Sequence, residues 1–204
     1  KYLNRQPTLA DVRSMWVGLR PLVKPQDDDG ENTKKISREH TVMASKTGLV
    51  TVTGGKWTTY RAMSEDVLAE CFQIGRLPSR PAGVTVNLPL VGAPAEAAVT
   101  HSMNQSQGLH SYGTDAAAVA ALPGAQNWLM DGLSESMVRF AARFEYARTV
   151  EDMLARRSRL LFLDARKAAE IAPRVAAILT EELAQDVQLN DFLALTRQYL
   201  PAQG

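Results

Sequence analysis

One cysteine, Cys71, stands in 204 residues. It cannot close an intrachain disulfide, and no cysteine-based zinc site can assemble within one chain. A reducing compartment fits that usage. No run of about 18 apolar residues occurs, so no segment reads as a membrane-spanning helix. Neither sign of charge dominates: Lys plus Arg is 23 and Asp plus Glu is 22. That balance argues against a dedicated nucleic-acid binder. The sequence opens Lys1-Tyr2-Leu3-Asn4, without a Met and without the layout of a signal peptide, and so reads as the interior of a longer polypeptide. No internal repeat is visible, and no Gly-x-Gly-x-x-Gly follows a strand, so the dinucleotide fingerprint is missing.

What is there suits a globular protein: 45 % hydrophobic and 22 % charged residues. The length permits one large domain or two small ones, and a core without covalent staples. The sequence changes character near residue 80. Before it, short β-prone runs alternate with turn signals. Met15–Leu22 ends on a Pro-containing step and reads as a strand. Lys24–Lys35, with Asp27-Asp28-Asp29-Gly30 inside it, reads as an exposed loop. Ile36–Met43 and Leu49–Thr53 read as two further strands, the second rich in β-branched residues. Gly54-Gly55 follows, then a helical pattern with Ala62, Met63, Val67, Leu68 and Phe72 at near-helical spacing.

Four prolines between residues 76 and 94 (Pro78, Pro81, Pro89, Pro94) mark a linker. Helix formers take over from about residue 96. Ser134 precedes Met137, Phe140, Ala141 and Phe144 on one helical face. Thr149 and Asp152 have capping-box spacing, and Asp164 suits the cap of the next helix. Pro173 suits the first turn of a helix carrying Val175, Ile178, Leu179 and Leu183. Asn190 or Asp191 is placed to cap a last helix. Trp128, Phe140, Phe144, Phe162 and Tyr199 are expected in the core. The fold expected is therefore α+β: short strands and one helix in 1–75, a linker in 76–95, and an all-α domain in 96–204.

The unit of strand, Gly-Gly turn and helix is the place where chemistry can sit. A helix N-terminus offers unpaired N–H groups and a partial positive charge. Two glycines let a planar or anionic ligand approach the backbone. Lys56 adds a full charge there, and Thr58 and Thr59 add hydroxyls. Such a site suits a phosphate, or the pyrimidine edge of a flavin that becomes anionic on reduction. A tight turn with a Thr-capped helix would look the same over Gly-Gly and Thr alone; the whole string Gly54-Gly55-Lys56-Trp57-Thr58-Thr59-Tyr60-Arg61 is far more specific.

That string resembles a segment late in the FAD domain of glycerol-3-phosphate dehydrogenases and the related glycerophosphate oxidases. Trp16-Val17-Gly18-Leu19-Arg20-Pro21-Leu22 resembles the Gly-x-Arg-Pro-Leu strand of that family, and Ile36-Ser37-Arg38-Glu39-His40 its Ser/Thr-Arg-acidic segment. Tyr146–Arg157 and Leu160–Ala165 resemble its helical C-terminal domain. The resemblance covers nearly the whole chain and implies the C-terminal portion of an FAD-dependent, quinone-linked enzyme that oxidises sn-glycerol 3-phosphate to dihydroxyacetone phosphate. Carried over by position, Gly54, Gly55, Lys56, Trp57 and Thr58 would line the flavin edge. Arg20 and Arg38 would hold the substrate phosphate, with Lys56 helping there or polarising the reacting oxygen as the catalytic residue.

Residues 1–75 would then close the FAD and substrate domain. The partners implied are the N-terminal FAD-binding portion of the same protein, glycerol 3-phosphate, quinone, a membrane surface touched peripherally, and a second copy in a homo-oligomer, with no nucleic acid. The location implied is the cytoplasm, peripheral on the inner face of the cytoplasmic membrane. The general base would belong to the N-terminal portion; His40, two residues after Arg38, reads as an ordinary strand histidine. The chain by itself is expected to be inactive. Two other readings stand beside this one: an oxidase that passes electrons to oxygen, and a stand-alone helical interaction module. Arg156-Arg157-Ser158-Arg159 is expected to be a solvated helix face pairing with Glu151 and Asp152 rather than a docking patch.

Overall fold

The computed structural model of the chain describes residues 4–19, 39–94 and 108–201. It divides into two compact units: Gly18–Leu88, and Lys1–Val17 together with Pro89–Gly204.

The smaller unit is a hairpin and a helix. Strands β1 (His40–Ala44) and β2 (Val50–Gly54) pair antiparallel, with His40 opposite Gly54 and Ala44 opposite Val50. β-Branched residues suit such a pleated pair. The connecting turn closes by hydrogen bonds from Gly48 N–H to Ser45 O and from Ser45 N–H to Leu49 O, both 2.9 Å. Helix α1 (Tyr60–Gln73) is entered through a 3-10 turn, Trp57–Thr59. It ends at Gly75, whose φ of 70° lets Arg76 N–H reach Cys71 O at 2.9 Å. Met63, Val67, Cys71 and Ile74 are its half-buried stripe, whereas Ala62 and Leu68 are exposed. No described residue of 39–88 is buried, so this hairpin and helix have no core of their own.

The larger unit has one. Its elements are α2 (Ala116–Ala120), a short hairpin of β3 (Trp128–Met130) and β4 (Leu133–Ser134), α3 (Glu135–Phe144), a π-helix Asp152–Arg157, α4 (Leu160–Leu163), α5 (Ala165–Leu183) and α6 (Leu189–Gln198). Met137, Val138, Val150, Met153, Leu154, Leu161, Val175, Ile178, Leu179 and Phe192 are all at most 2 % exposed. Each such side chain contributes about 1.5–3 kcal/mol of burial. Ala165, Ala168 and Ala172 put small residues on the inner face of α5, where backbones approach closely. Among the described residues the fold is thus α+β, about half helical with two two-stranded sheets, and the β3–β4 hairpin means that 96–204 is not the all-α domain the sequence suggests.

Local capping follows the sequence in two places. Thr149 N–H donates to Asp152 Oδ2 and Asp152 N–H donates to Thr149 Oγ1, each at 3.0 Å, a reciprocal capping box. Asp164 Oδ1 accepts from Lys167 N–H at 3.0 Å and caps α5. In three places the structure corrects the sequence reading. Pro173 lies inside α5, not in its first turn. The last helix starts at Leu189 after Gln188, which adopts φ 57°, so neither Asn190 nor Asp191 is the cap residue. Trp128 and Phe144 are exposed at 52 % and 67 %, outside the core.

The run from Met15 is a fourth correction: its described residues, 15–19, form no strand. Residues 13–16 lie instead along the helical unit. Arg13 Nη1 donates to Asp164 Oδ2 at 2.8 Å, Ser14 Oγ donates to Leu161 O at 2.9 Å, and Met15 N–H donates to Tyr199 O at 2.7 Å.

Candidate functional site

Strand β2 does not pass straight into α1. Gly54 and Gly55 have φ of 77° and 82°, two successive left-handed residues. Only glycine adopts that pair without strain. Lys56 then returns to extended backbone and its side chain is exposed. Among the described residues the N–H groups of Trp57 and Thr58 have no backbone acceptor; the first closed bonds of the turn are Thr59 N–H to Lys56 O at 3.0 Å and Tyr60 N–H to Trp57 O. The Thr59 hydroxyl donates to Lys56 O at 3.0 Å, and no side-chain cap bond stands at the start of the turn or of α1, so neither threonine is the cap the sequence suggests.

Beside these free donors lies an aromatic pair. The Trp57 ring, on a residue 85 % exposed, stacks on Tyr60 with centroids 5.5 Å apart and planes at 28°. The donor set is therefore two orphan N–H groups, a lysine and a flat exposed ring at one helix start. It fits a planar group that carries or develops negative charge. Of the residues the sequence singles out, Gly54, Gly55, Lys56, Trp57 and Thr58 come together here. Arg20 and Arg38 lie outside the described residues.

The turn is braced from behind. A Cβ added at Gly55 would stand 2.6 Å from Met63 Sδ and 3.1 Å from His40 Cβ. His40 Nε2–H donates to Asp66 Oδ2 at 2.6 Å, joining the start of β1 to α1. At the far end of the hairpin Arg76 Nη2 donates to Thr47 O at 2.8 Å. Asp66 is the residue that sequence reasoning missed as a partner of His40, because 26 residues separate them. Among the described residues no cluster of three or more His, Cys, Asp or Glu is placed to hold a metal ion.

Residues 83–189 match the family described as the C-terminal domain of alpha-glycerophosphate oxidase. The chain belongs to that family. Glycerol-3-phosphate dehydrogenase SDP6, mitochondrial, of Arabidopsis thaliana is 35 % identical over 89 % of this chain and 33 % of its own length. The mitochondrial glycerol-3-phosphate dehydrogenase of Bos taurus is 35 % identical over 93 % of this chain and 28 % of its own length. The human protein of that name is 34 % identical with the same coverages, 93 % and 28 %. At 93 % coverage the likeness runs through the glycine turn as well as through the glycerophosphate oxidase C-terminal domain. The chain spans about a third of the length of the curated relatives it matches. No solved structure matches it.

Elsewhere in the glycerophosphate oxidase C-terminal domain the charges are internal. Arg156 pairs with Asp152 at 2.9 Å and with Glu151, and Arg157 Nε donates to Glu145 O at 2.9 Å. Arg156 thus pairs with Glu151 and Asp152 as the sequence suggests, whereas Arg157 is engaged by a backbone carbonyl. The half-buried Glu145 carboxyl is pushed above the usual range by burial, against the pull of Arg157.

Proposed function

We propose that this chain supplies the flavin-facing turn and part of the substrate-phosphate site of an FAD-dependent enzyme that oxidises sn-glycerol 3-phosphate to dihydroxyacetone phosphate. The observation that carries the reading is the Gly54–Gly55 turn, which leads a strand into a helix start with orphan N–H groups, Lys56 and an exposed aromatic face. Relatives that cover this turn are named glycerol-3-phosphate dehydrogenase.

Bound FAD supplies the hydride acceptor. The chain's own residues do the rest assigned to them here. The Trp57 and Thr58 N–H groups and the helix dipole favour negative charge at the flavin edge, where preorganised donors are most effective. Gly54 and Gly55 keep side chains out of the approach. Lys56 adds a mobile cation for the phosphate or for the reacting oxygen. Arg20 and Arg38 grip the phosphate through their planar forks. His40 is engaged with Asp66 and is not assigned the proton of the alcohol; that base belongs to the remainder of the polypeptide. The 204-residue chain alone is therefore inactive. Electrons pass on to quinone. No helix among the described residues is long and apolar enough to cross a membrane; a peripheral approach to quinone is a separate part of this proposal. The two-domain division (a flavin and substrate segment, then a helical domain) and a homo-oligomer are parts of the same proposal.

The test is anaerobic titration of the full-length protein with glycerol 3-phosphate, following bleaching of flavin absorbance. Wild type bleaches, and Arg20→Ala needs about 10- to 100-fold more substrate, as loss of a charge-assisted bidentate contact implies. A full-length protein without flavin overturns the reading. Reoxidation of the bleached protein by quinone, against oxygen, decides between the dehydrogenase and the oxidase forms.

A further inference from the structure

The hairpin and α1 have no buried residue between them, so the position of the Gly54–Gly55–Lys56 turn depends on few contacts. Two are at its end of the unit. His40 stands directly opposite Gly54 in the ladder, and its Cβ, with Met63 Sδ, walls the space beside Gly55. From the same side chain, Nε2–H reaches Asp66 Oδ2 at 2.6 Å. Met63 and Asp66 are one turn apart on α1 and share a face. The histidine thus touches the turn with one end and fixes the helix with the other.

We propose that His40 and Asp66 are positioning residues for the glycine turn: their bond sets where α1 starts relative to β2, and with it where the Trp57 and Thr58 N–H groups and Lys56 point. This rests on the flavin-edge reading above. The Asp66 side chain is 58 % exposed, and an exposed pair adds little to stability. Its loss is therefore expected to be read at the turn and not in the melting temperature. Shifts of about an ångström in the position of preorganised groups are enough to change rate.

The experiment uses the full-length protein with Asp66→Leu, Asp66→Asn, His40→Gln and the double variant Asp66→Leu/His40→Gln. Measured are the midpoint potential of bound flavin, the rate of bleaching by glycerol 3-phosphate, and the melting temperature. Asp66→Leu is expected to lower the potential and slow bleaching about tenfold, with the melting temperature unmoved. Asp66→Asn keeps an acceptor and His40→Gln keeps a donor, so each should restore most of the wild-type behaviour. The double variant should be no worse than Asp66→Leu alone, as for two members of one interaction. Flavin that is present, with potential and rate unchanged in Asp66→Leu, overturns the positioning role and leaves the flavin reading intact. An Asp66→Leu protein that merely melts earlier, with its potential unchanged, overturns it too. A wild type without flavin overturns both.

Discussion

Trp16 stands edge-on to Phe162, ring centroids 5.4 Å apart at 82°, and Phe162 stands edge-on in turn to Tyr199 at 5.6 Å. The first and last described parts of the chain are thereby joined across one helix. Two residues before Trp16, Ser14 Oγ accepts from Ala165 N–H at 2.8 Å while donating to Leu161 O at 2.9 Å. A serine about 150 residues away in sequence thus serves the first turn of α5 beside its own cap, Asp164. Ser14→Ala leaves the buried Ala165 N–H with only its 3.3 Å bond to Arg13 O and takes the hydroxyl donor from Leu161 O, and should cost about 1 kcal/mol. Trp16→Ala loses the edge contact, about 1 kcal/mol, although Trp16 is 61 % exposed. Thermal melts of the helical unit with and without residues 1–17 check the same point: deletion should lower the midpoint, and an unchanged midpoint would show that these residues only rest on the surface.

The two units should respond to truncation in opposite ways. Leu154 is fully buried in the helical unit, and Leu154→Ala should cost about 2–5 kcal/mol. Leu68 on α1 is 45 % exposed, so Leu68→Ala should cost well under 1 kcal/mol in the isolated chain. For the same reason limited proteolysis should clear residues 39–88 before it cuts α3, α5 or α6. Equal rates of digestion would show that the helical unit is no more self-sufficient than the hairpin unit.

Features with a local cause were legible in the sequence. The Thr149–Asp152 box, the Asp164 cap and the strand, Gly-Gly and helix order each depend on residues within one or two turns of each other. Features set by distant contacts were not. Met15–Leu22 has the composition of a strand, yet Met15 N–H is bonded to Tyr199 O, and no spacing rule reaches across that separation. Pro173 suits the first turn of a helix, and an interior proline costs about 3 kcal/mol. Ile171, Val175, Ile178 and Leu179 around it are nearly or fully buried, and their packing holds the helix together across it. Phe144 follows the apolar face of α3 in sequence but is 67 % exposed; periodicity shows which residues share a face, not where the covering element stops. The His40–Asp66 bond was hidden for the same reason, since it joins two elements whose register only the folded hairpin fixes.

Gly55→Ala should damage the glycine turn directly. Its φ of 82° strains any L side chain, and the new Cβ would meet Met63 Sδ at 2.6 Å and His40 Cβ at 3.1 Å. Met63 can yield, being flexible; the backbone cannot. A cost of about 1–2 kcal/mol is expected from the left-handed conformation. In the full-length protein it should appear as weaker flavin retention on dilution. Gly75→Ala serves as the control: its φ is 70° but nothing lies within 4 Å of the added Cβ. Equal flavin loss from both variants would mean that backbone strain alone, not the crevice between His40 and Met63, is what the turn depends on.

The last prediction concerns acid. Glu182 accepts from Arg139 Nη1 at 2.8 Å and Arg143 Nε at 2.7 Å, and Glu135 accepts from Arg174 Nε at 2.6 Å; both carboxylates are only 9 % exposed. The hydrogen bond from Arg143 foremost holds Glu182 below its ordinary 4.5, and that from Arg174 foremost does the same for Glu135, in each case against burial. A carboxyl depressed in the fold stabilises fully above its unfolded value and loses that contribution as pH falls through its folded one. Glu145, raised by burial, runs the other way: its contribution is present below the ordinary value and fades as pH rises through the raised one. With two depressed groups tying α3 to α5 and one raised group, the melting temperature of the helical unit should fall as pH drops below about 4.5. Glu182→Gln should cost about 1–2 kcal/mol near neutral pH, because Arg139 and Arg143 lose the charge they share while Arg139 keeps Glu181. It should also flatten the acid limb of the melting curve against pH. An acid limb as steep in Glu182→Gln as in wild type would place the acid sensitivity in other carboxylates and remove this network from the account.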